Sequence, residues 1–340
     1  MNPAILPRAL TMGLLACLAA FSPARAQATL DKVSFGTNWV PEAEHGGFFQ
    51  AVADGTYKRY GLDVTIVPGG PNDNNRMLLI SGKLDFFMAA NTLMSLDAVA
   101  NKVPVVTVAA MFQKDPQVFL THPESKVTKL EELKPLTLFV SKEGITSYFQ
   151  WLKSEYGFDE KNVKPYTFNA QPFIADPQSA MQGYVTSEPY AVEKAAHFKP
   201  GIILLADYGF NTYSTQIETR LDLIDKKPDL VQRFVDASIV GWYHYLYGDS
   251  APGNALIRKL NPEMTDELLA YSIARMKEYG IVDSGDTLRN GIGAMSDERV
   301  ASFYDKMVRA GVVRPDIDFR KAYTLRFVNK GVGLDLRPKN

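Results

Sequence analysis

The architecture of the chain is indicated first by residues 32–67, which read KVSFGTNWVPEAEHGGFFQAVADGTYKRYGLDVTIV. Val33–Asn38 and Leu62–Val67 are apolar and β-branched, which predicts two strands. Glu44–Ala53 between them has helical spacing of its apolar residues. A strand, a helix and a second strand in this order are typical of a parallel βαβ unit.

The same alternation continues along the chain. Further strands are predicted at Leu84–Ala89, Val103–Ala109, Val118–Thr121, Leu136–Val140, Val163–Phe168, Gly183–Thr186 and Ile202–Ala206. Further helices are predicted at Asn72–Ile80, Leu93–Ala100, Ile145–Tyr156, Pro177–Met181, Pro228–Tyr247, Asp266–Tyr279 and Asp297–Ala310. We therefore predict an α/β fold in which helices cover both faces of parallel or mixed sheets.

The alternation falls into two runs followed by a helical segment, which predicts two lobes. We assign 27–113 plus 210–340 to lobe 1 and 114–209 to lobe 2. The chain would then cross twice between the lobes and form a hinge beside an interlobe cleft. Clefts between domains are preferred sites for small ligands.

Residues 1–26 have the pattern of a secretory signal peptide. They contain no acidic residue, Arg8 supplies a positive charge, and Ala9–Phe21 is almost continuously apolar. The apolar run is shorter than the roughly 20 residues that a membrane-spanning helix needs. Ala24–Arg25–Ala26 has small residues at both positions of an A-x-A cleavage site. We expect cleavage after Ala26 and a periplasmic protein.

The only cysteine, Cys17, lies inside this predicted signal peptide. The mature chain would have no thiol, so no disulfide could form in an oxidising compartment. Leu14–Cys17 resembles a bacterial lipidation box, and lipid anchoring at Cys17 is therefore the alternative to cleavage after Ala26.

Composition excludes several classes of function. The 340 residues carry 37 Lys plus Arg against 38 Asp plus Glu, which gives no electrostatic support for nucleic-acid or direct membrane binding. The apolar fraction of 46% argues against disorder. The four histidines lack the spacing of metal ligands, and neither a Walker A sequence nor a Gly-x-Ser-x-Gly elbow occurs. We predict no cofactor and no metal.

The first candidate ligand-binding residues follow the first predicted strand, because open α/β sheets bind ligands outside the carboxyl ends of their strands. Trp39 offers a flat stacking face, and Asn38 offers both donors and an acceptor. His45 lies in the first helical turn, where the helix dipole disfavours the imidazolium form. The alternative is that Trp39 belongs to the core and His45 is a surface cap.

Further candidates lie at the other junctions. Glu188 and Tyr190 follow the strand predicted at Gly183–Thr186. Glu188 could accept hydrogen bonds from an amine or ring N–H, or it could only place charge at the first turn of a helix. Asn91 could contact a ligand or serve only as a helix N-cap.

The last candidates are a helix start and two aromatic residues. Gly144 and Thr146 lie where free N–H groups could hold an anion or a carboxylate. Phe112 and Tyr213 lie near the predicted lobe crossings and would line the cleft or pack in the core.

Several segments together resemble periplasmic solute-binding proteins related to the fungal thiamine-pyrimidine synthase. They are the unit quoted above, Gly82–Phe86 (GKLDF), Thr186–Tyr190 (TSEPY) and Phe327–Gly331 (FVNKG). The wider superfamily binds nitrate, sulfonates and taurine, and nearer relatives bind thiamine pyrimidine precursors or riboflavin.

This resemblance implies a monomeric, two-lobed type II periplasmic binding fold that delivers a small molecule to an ABC permease and its ATPase. It implies that Asn38, Trp39 and His45 line the cleft from one lobe. It implies that Glu188 and Tyr190 line the cleft from the other lobe.

Three functions are consistent with these observations. The first is a receptor for a flat heterocycle, stacked between Trp39 and an aromatic residue of the opposite lobe while Glu188 contacts its N–H edge. The second is a receptor for a small anion held at Gly144–Ser147. The third is a pyrimidine-synthase enzyme that uses His45. The fungal synthase uses a cysteine-rich motif, and the predicted mature chain has no cysteine, so we expect binding without catalysis.

Overall fold

The computed structural model describes residue 1 and residues 29–70, 74–167 and 169–339. Cys17 and the predicted cleavage site after Ala26 lie outside the described residues, as do Asn72 and Phe168 at the ends of two predicted elements. Within the described ranges, no helix is long and apolar enough to cross a membrane.

The described chain alternates strands and helices along most of its length. The strands are β1 (Asp31–Gly36), β2 (Leu62–Val67), β3 (Phe86–Asn91), β4 (Val105–Phe112), β5 (Gln117–Thr121), β6 (Thr137–Val140), β7 (Val163–Pro165), β8 (Ser179–Tyr184), β9 (Gly201–Leu204) and β10 (Ser214–Arg220). The α-helices are α1 (Gly46–Ala53), α2 (Thr56–Arg59), α3 (Asn75–Ile80), α4 (Thr92–Ala100), α5 (Lys142–Thr146), α6 (Tyr148–Tyr156), α7 (Gln171–Ile174), α8 (Glu188–Ala196), α9 (Leu221–Lys226), α10 (Pro228–Tyr247), α11 (Ala251–Leu260), α12 (Asp266–Glu278), α13 (Thr287–Asn290) and α14 (Asp297–Arg309).

The strands form two five-stranded mixed sheets with the same pattern. The first has the order β2-β1-β3-β10-β4, and the second has the order β7-β6-β8-β5-β9. In the first sheet, β1 is parallel to β2 and β3, while β10 runs antiparallel to β3 and β4. In the second, β6 is parallel to β7 and β8, while β5 runs antiparallel to β8 and β9. The predicted two-lobed α/β fold is confirmed, whereas the exact lobe boundaries stay a prediction.

The βαβ unit quoted first is folded around aromatic residues. The ring of Phe35 on β1 lies 4.6 Å from that of Phe48 on α1 and 5.5 Å from that of Phe234 on α10. Phe234 also stacks on Phe86 of β3 at 4.0 Å. Helix α1 packs so closely on α10 that a Cβ on Gly241 would collide with the carbonyl oxygen of Gly47. This packing fixes the start of α1, where the candidate site begins.

Two elements of the second lobe differ from the prediction. The helix predicted at Pro177–Met181 is wrong, because Ser179–Tyr184 forms strand β8. The strand predicted at Gly183–Thr186 overlaps β8 only at Gly183 and Tyr184. Most of β8 is buried, and it pairs with both β5 and β6, so sheet pairing determines its conformation despite the weak local pattern. The helix predicted at Ile145–Tyr156 is divided into α5 and α6 at Ser147.

Strand β10 was not predicted, because its sequence STQIETR lacks an apolar run. Its polar side chains are buried but have partners: Glu218 pairs with Arg76, and Gln216 donates to Thr92. Sheet position and long-range hydrogen bonds, rather than apolar periodicity, explain this strand.

We predict that Gly241→Ala lowers the free energy of unfolding by about 1–3 kcal/mol, because the added methyl overpacks the α1–α10 contact. Besides the Gly47 carbonyl, it would meet the Cβ of Ala51 at 2.6 Å. Urea denaturation measures the change. Gly70→Ala is the control, since its added methyl would have its nearest neighbour at 3.7 Å. Equal stability of Gly241→Ala and wild type would contradict the packing argument.

Candidate functional site

A cavity of about 700 Å³ lies between the two lobes. It opens where several strands end, as expected for an α/β fold. Its aromatic lining consists of Trp39, Phe87, Phe112, Tyr148, Tyr166, Tyr184 and Phe210. Its charged lining consists of Glu42, Glu44, Asp115, Glu143, Glu188 and Arg76. The cavity therefore combines flat apolar surfaces with an excess of carboxyl groups.

Seven of the ten residues predicted from the sequence line this cavity. They are Asn38, Trp39, His45, Asn91, Phe112, Gly144 and Glu188. Their common feature is a position at the end of a strand or the start of a helix. The structure brings them together, although their direct contact with a ligand stays a prediction.

The other three predicted residues do not line the cavity. Thr146 is exposed, and its hydroxyl donates to carbonyls of its own helical turn. The ring of Tyr190 contacts that of Tyr271 at 5.4 Å. Tyr213 is buried in lobe 1, where its hydroxyl donates to Asp286 Oδ2 at 2.7 Å. The aromatic side chains find protein partners away from the cleft, which residue type alone does not reveal.

The segment after β1 is held by a compact set of hydrogen bonds. The Thr37 hydroxyl donates to the carbonyl oxygen of Trp39 at 2.8 Å, and the Gly69 N–H donates to the same oxygen at 3.1 Å. The Asn75 side chain donates to the carbonyl oxygen of Thr37 at 2.9 Å. The backbone is thus fixed on both sides of Asn38, which places Asn38 and Trp39 at the cavity wall.

His45 lies at the start of α1 and is only 1% exposed. Burial lowers its pKa to about 3, so the imidazole is neutral at physiological pH. Its Nε2 lies 3.7 Å from Glu42 Oε1. His45 Nδ1 and Asn38 Oδ1 are both buried without a hydrogen-bond partner. The expectation of a neutral histidine at the cavity is consistent with this geometry, and the surface-cap alternative is not.

The carboxyl groups of Glu42 and Glu44, which precede His45 and line the cavity, were not among the residues predicted to contact a ligand. Glu44 is 3% exposed, and burial raises its pKa to about 7 against the opposing effect of a hydrogen bond from Thr186. Burial, followed by repulsion from Glu44 and Glu188, raises the pKa of Glu42 well above its usual value. Their position beside His45, between β1 and α1, could have indicated from the sequence that they line the cavity.

A third missed carboxyl group belongs to Asp115. Burial raises its pKa to about 6, although the Gln117 N–H donates to it at 3.0 Å. Arg76 is the one guanidinium of the described cavity lining, and it is paired with Glu218 at 3.3 Å. The described carboxyl groups of the cavity therefore lack a free cationic partner.

Glu188 and Asn91 have local structural roles in addition to lining the cavity. Glu188 Oε2 accepts from the Tyr184 N–H at 2.7 Å and from the Ser187 hydroxyl at 2.6 Å. Asn91 Oδ1 caps α4 by accepting from the Leu93 N–H at 3.0 Å. The structural alternative offered for each residue is therefore present, while contact with a ligand stays a prediction.

Gly144 and Phe112 are also committed to local contacts. The Ser141 side chain caps α5 by accepting from the Gly144 N–H at 3.1 Å, so this N–H is not free for an anion. Phe112 is 1% exposed and packs edge-on against Trp242 at 5.5 Å. Within the described ranges, no cluster of His, Cys, Asp and Glu could hold a metal ion.

The two lobes contact each other at the cavity. The Thr186 hydroxyl, which follows β8, donates to Glu44 Oε1 on the other side of the cleft. The carbonyl oxygen of Thr186 accepts from the Ser272 hydroxyl of α12 at 2.7 Å. The Glu44 carboxyl group thus lines the cavity and also accepts a hydrogen bond from the opposite lobe.

These features define a two-lobed α/β binding-protein fold, and known proteins share it. The model of the family described as "NMT1/THI5 like" matches residues 42–248. The chain belongs to this family, which confirms the resemblance noted from the sequence. The periplasmic aliphatic sulphonate binding protein SsuA from Escherichia coli has the same fold, with a TM-score of 0.65 and 13% identity over 86% of this chain and 91% of that chain.

Two relatives illustrate the range of named functions. The chain is 23% identical to the riboflavin-binding protein RibY of Chloroflexus aurantiacus over 90% of this chain and 88% of that protein. It is 32% identical to the 4-amino-5-hydroxymethyl-2-methylpyrimidine phosphate synthase THI11 of Saccharomyces cerevisiae over 37% of this chain and 31% of that protein. The similarity thus extends along nearly all of a binding protein but only part of a synthase.

We predict that Glu44→Gln changes the pH dependence of stability. The pKa of Glu44 is 4.5 as a free side chain and about 7 in the folded chain. Its contribution to stability is therefore complete below pH 4.5 and is lost as the pH rises through about 7. Glutamine cannot ionise, so the variant gains stability relative to wild type across this interval.

Urea denaturation of both proteins between pH 4 and pH 8 measures this difference. The exposed Glu263, which does not line the cavity, provides the control Glu263→Gln, the same chemical change at a solvated position. His45 acts in the opposite direction, losing stability as the pH falls from 6.5 towards 3, but it is present in all three proteins. A pH-independent difference for Glu44→Gln would contradict the prediction.

Proposed function

We propose that the protein is the periplasmic substrate-binding component of an ABC importer. We propose further that it binds a flat heterocycle, such as a thiamine pyrimidine precursor or a riboflavin-like compound. The observation that carries the proposal is the interlobe cavity, whose lining includes Trp39 from lobe 1 and Tyr148, Tyr166 and Tyr184 from lobe 2.

Aromatic residues on both sides of a cleft suit a planar ligand. Each well-placed stacking contact contributes on the order of 1 kcal/mol beyond the burial of apolar area. The volume of about 700 Å³ lies within the range of small-molecule pockets and accommodates either a substituted pyrimidine or a larger flavin-like ring system. The similarity to RibY along most of the chain supports the same class of ligand.

A small anion, the alternative ligand, is disfavoured by the electrostatics of the cavity. Glu42, Glu44 and Asp115 lie in its lining, while the guanidinium of Arg76 is already paired with Glu218. The Gly144 N–H, which was the expected anion contact, donates to Ser141 instead. The described lining therefore offers a sulfonate or nitrate no free cation, and each of these carboxyl groups that is ionised would repel the anion.

A pyrimidine-synthase reaction through His45 has less support than binding. The matching synthase shares similarity over 37% of this chain only, whereas the riboflavin-binding relative matches over 90%. His45 lies in the cavity as a neutral imidazole, which suits ligand contact. In the proposed function, the protein binds its ligand and passes it unchanged to an ABC permease, which is energised by its ATPase. We propose that it does so as a monomer.

Thermal-shift measurements with purified protein test the ligand class. We expect stabilisation by a substituted pyrimidine or by riboflavin, and no stabilisation by taurine, an alkanesulfonate or nitrate, because a ligand that binds only the folded state raises the melting temperature. Stabilisation by the anions alone would overturn the heterocycle proposal. Conversion of a bound pyrimidine or flavin to a new product would overturn the proposal of binding without catalysis.

We predict that Trp39→Ala weakens binding of the stabilising heterocycle by at least about tenfold, since a large flat contact surface is lost. Isothermal titration calorimetry measures the dissociation constant. The matched control is Tyr190→Ala, which removes an aromatic ring outside the cavity lining. Trp39 is half-buried, so the variant should remain folded by circular dichroism. Unchanged affinity in folded Trp39→Ala would show that Trp39 is only structural.

A further inference from the structure

Two segments of the chain connect the lobes. Residues 113–116 run from β4 of the first sheet to β5 of the second sheet, and we call them the first crossing. Residues 205–213 return from β9 of the second sheet to β10 of the first sheet, and we call them the second crossing. Rotation of one lobe against the other changes the backbone of these segments, because a hinge consists of the few residues that absorb the movement. A side chain that binds both crossings therefore acts on the arrangement of the lobes.

The guanidinium of Arg299, on α14, binds both crossings. Arg299 Nη2 donates to the carbonyl oxygen of Gln113, and Nη1 donates to Gln113 Oε1 at 3.4 Å. In the second crossing, Arg299 Nε donates to the carbonyl oxygen of Asn211 at 3.1 Å. The guanidinium carbon also lies 4.1 Å from the centre of the Tyr213 ring, which is a cation–π contact. One planar cation thus connects two segments that are distant in sequence.

The face of α14 that carries Arg299 continues along the second crossing. Lys306 Nζ donates to the carbonyl oxygen of Gly209, and the ring of Phe303 lies 5.6 Å from that of Phe210. Arg299, Phe303 and Lys306 are separated by four and three positions, so they lie on one face of the helix. Helix α14 therefore supports the second crossing, and of these three side chains Arg299 also reaches the first crossing.

An ion pair forms a second link between the crossings. Lys114 Nζ lies 3.0 Å from Asp207 Oδ1, with 35% and 52% of the two side chains exposed. Ion pairs of this kind contribute little, because solvent screens them. Arg299 is half-buried, and its hydrogen bonds to carbonyl oxygens are strengthened by its charge. The hydrogen bonds of Arg299 are therefore the stronger link.

We propose that Arg299 is a positioning residue that clamps the hinge and determines how much of the ligand-free protein has closed lobes. The described arrangement is closed, since Glu44 and Thr186 are in contact across the cleft. The donors of a guanidinium have a fixed fork geometry, so rotation that reorients the carbonyl oxygens of Gln113 and Asn211 breaks these hydrogen bonds.

This inference rests on the proposed function, because the clamp affects ligand affinity only if the ligand binds between the closed lobes. Arg299 is not part of the described cavity lining. Its effect on affinity therefore comes from the population of the closed state, since a receptor that is only partly in its binding-competent state has a proportionally lower apparent affinity.

Small-angle X-ray scattering and calorimetric titration of wild type, Arg299→Gln and Arg299→Lys test the clamp. We expect both variants to have a larger radius of gyration than wild type without ligand. We expect both to bind riboflavin and a 4-aminopyrimidine about tenfold more weakly, by the same factor for each ligand that wild type binds. Lysine keeps the charge but is a point donor without the fork, so it does not restore the link. The control Arg289→Gln, at an exposed arginine outside the cavity lining, should keep the wild-type values.

The outcomes separate this inference from the proposed function. Absence of binding of both probes by wild type would overturn the ligand class of the proposed function, while the scattering of the ligand-free proteins still decides the clamp. A wild-type radius of gyration in the folded variants would overturn the clamp. Restoration of wild-type behaviour by lysine would also overturn it, because charge and packing would then be sufficient. A loss of affinity for one of two bound ligands only would locate the effect at the ligand instead of the hinge.

Circular dichroism verifies that each variant is folded, and Arg299→Lys carries the test if Arg299→Gln does not fold. Failure of both variants to fold would overturn the clamp as well, since Arg299 would then be required for folding itself.

Discussion

The burial of carboxyl groups between the lobes is the constraint on which the site depends. Transfer of an ionised carboxylate out of water is expensive, and the raised pKa of Glu42, Glu44 and Asp115 expresses that cost. Arg76 does not relieve it, because its guanidinium pairs with Glu218. The described lining thus offers an anion no free cation, whereas its carboxyl groups can accept hydrogen bonds from the donors of a ligand. The electrostatics therefore narrow the ligand class more than the volume does.

The scaffold holds this arrangement with little freedom for adjustment. Helix α1 begins at Gly46 and Gly47, and a Cβ at either position would collide with Tyr245 or Trp242 of α10. The absence of side chains at these two positions allows the helices to approach closely. His45, the preceding residue, is therefore placed by core packing rather than by its own contacts. A site built on rigid elements in this way keeps its polar groups aligned.

The sequence predicted the elements whose conformation follows from their own residues. It did not predict those whose conformation depends on pairing with residues distant in the chain. The alternation around Val33–Asn38 and Leu62–Val67 identified β1 and β2, and the motif resemblance identified the family. Strand β10 was missed because its buried polar residues are satisfied by partners distant in sequence. Most residues predicted from their position at a strand-to-helix junction line the cavity. Tyr213, predicted from its position near a lobe crossing, is instead buried in the core. Asp115 gave no local signal, since its burial depends on the assembled lobes.

The contact between Glu44 and Thr186 connects ligand chemistry to the arrangement of the lobes. Thr186 is bonded in turn to Ser272 of α12, so three segments far apart in sequence meet at the cavity. A ligand that places positive charge near Glu44 stabilises its ionised form, which is the better acceptor for the Thr186 hydroxyl. An anion at the same place would favour the protonated carboxyl group, which accepts more weakly. In the proposed receptor, a ligand that carries positive charge near Glu44 would therefore strengthen the contact between the lobes, since both interactions use one carboxyl group.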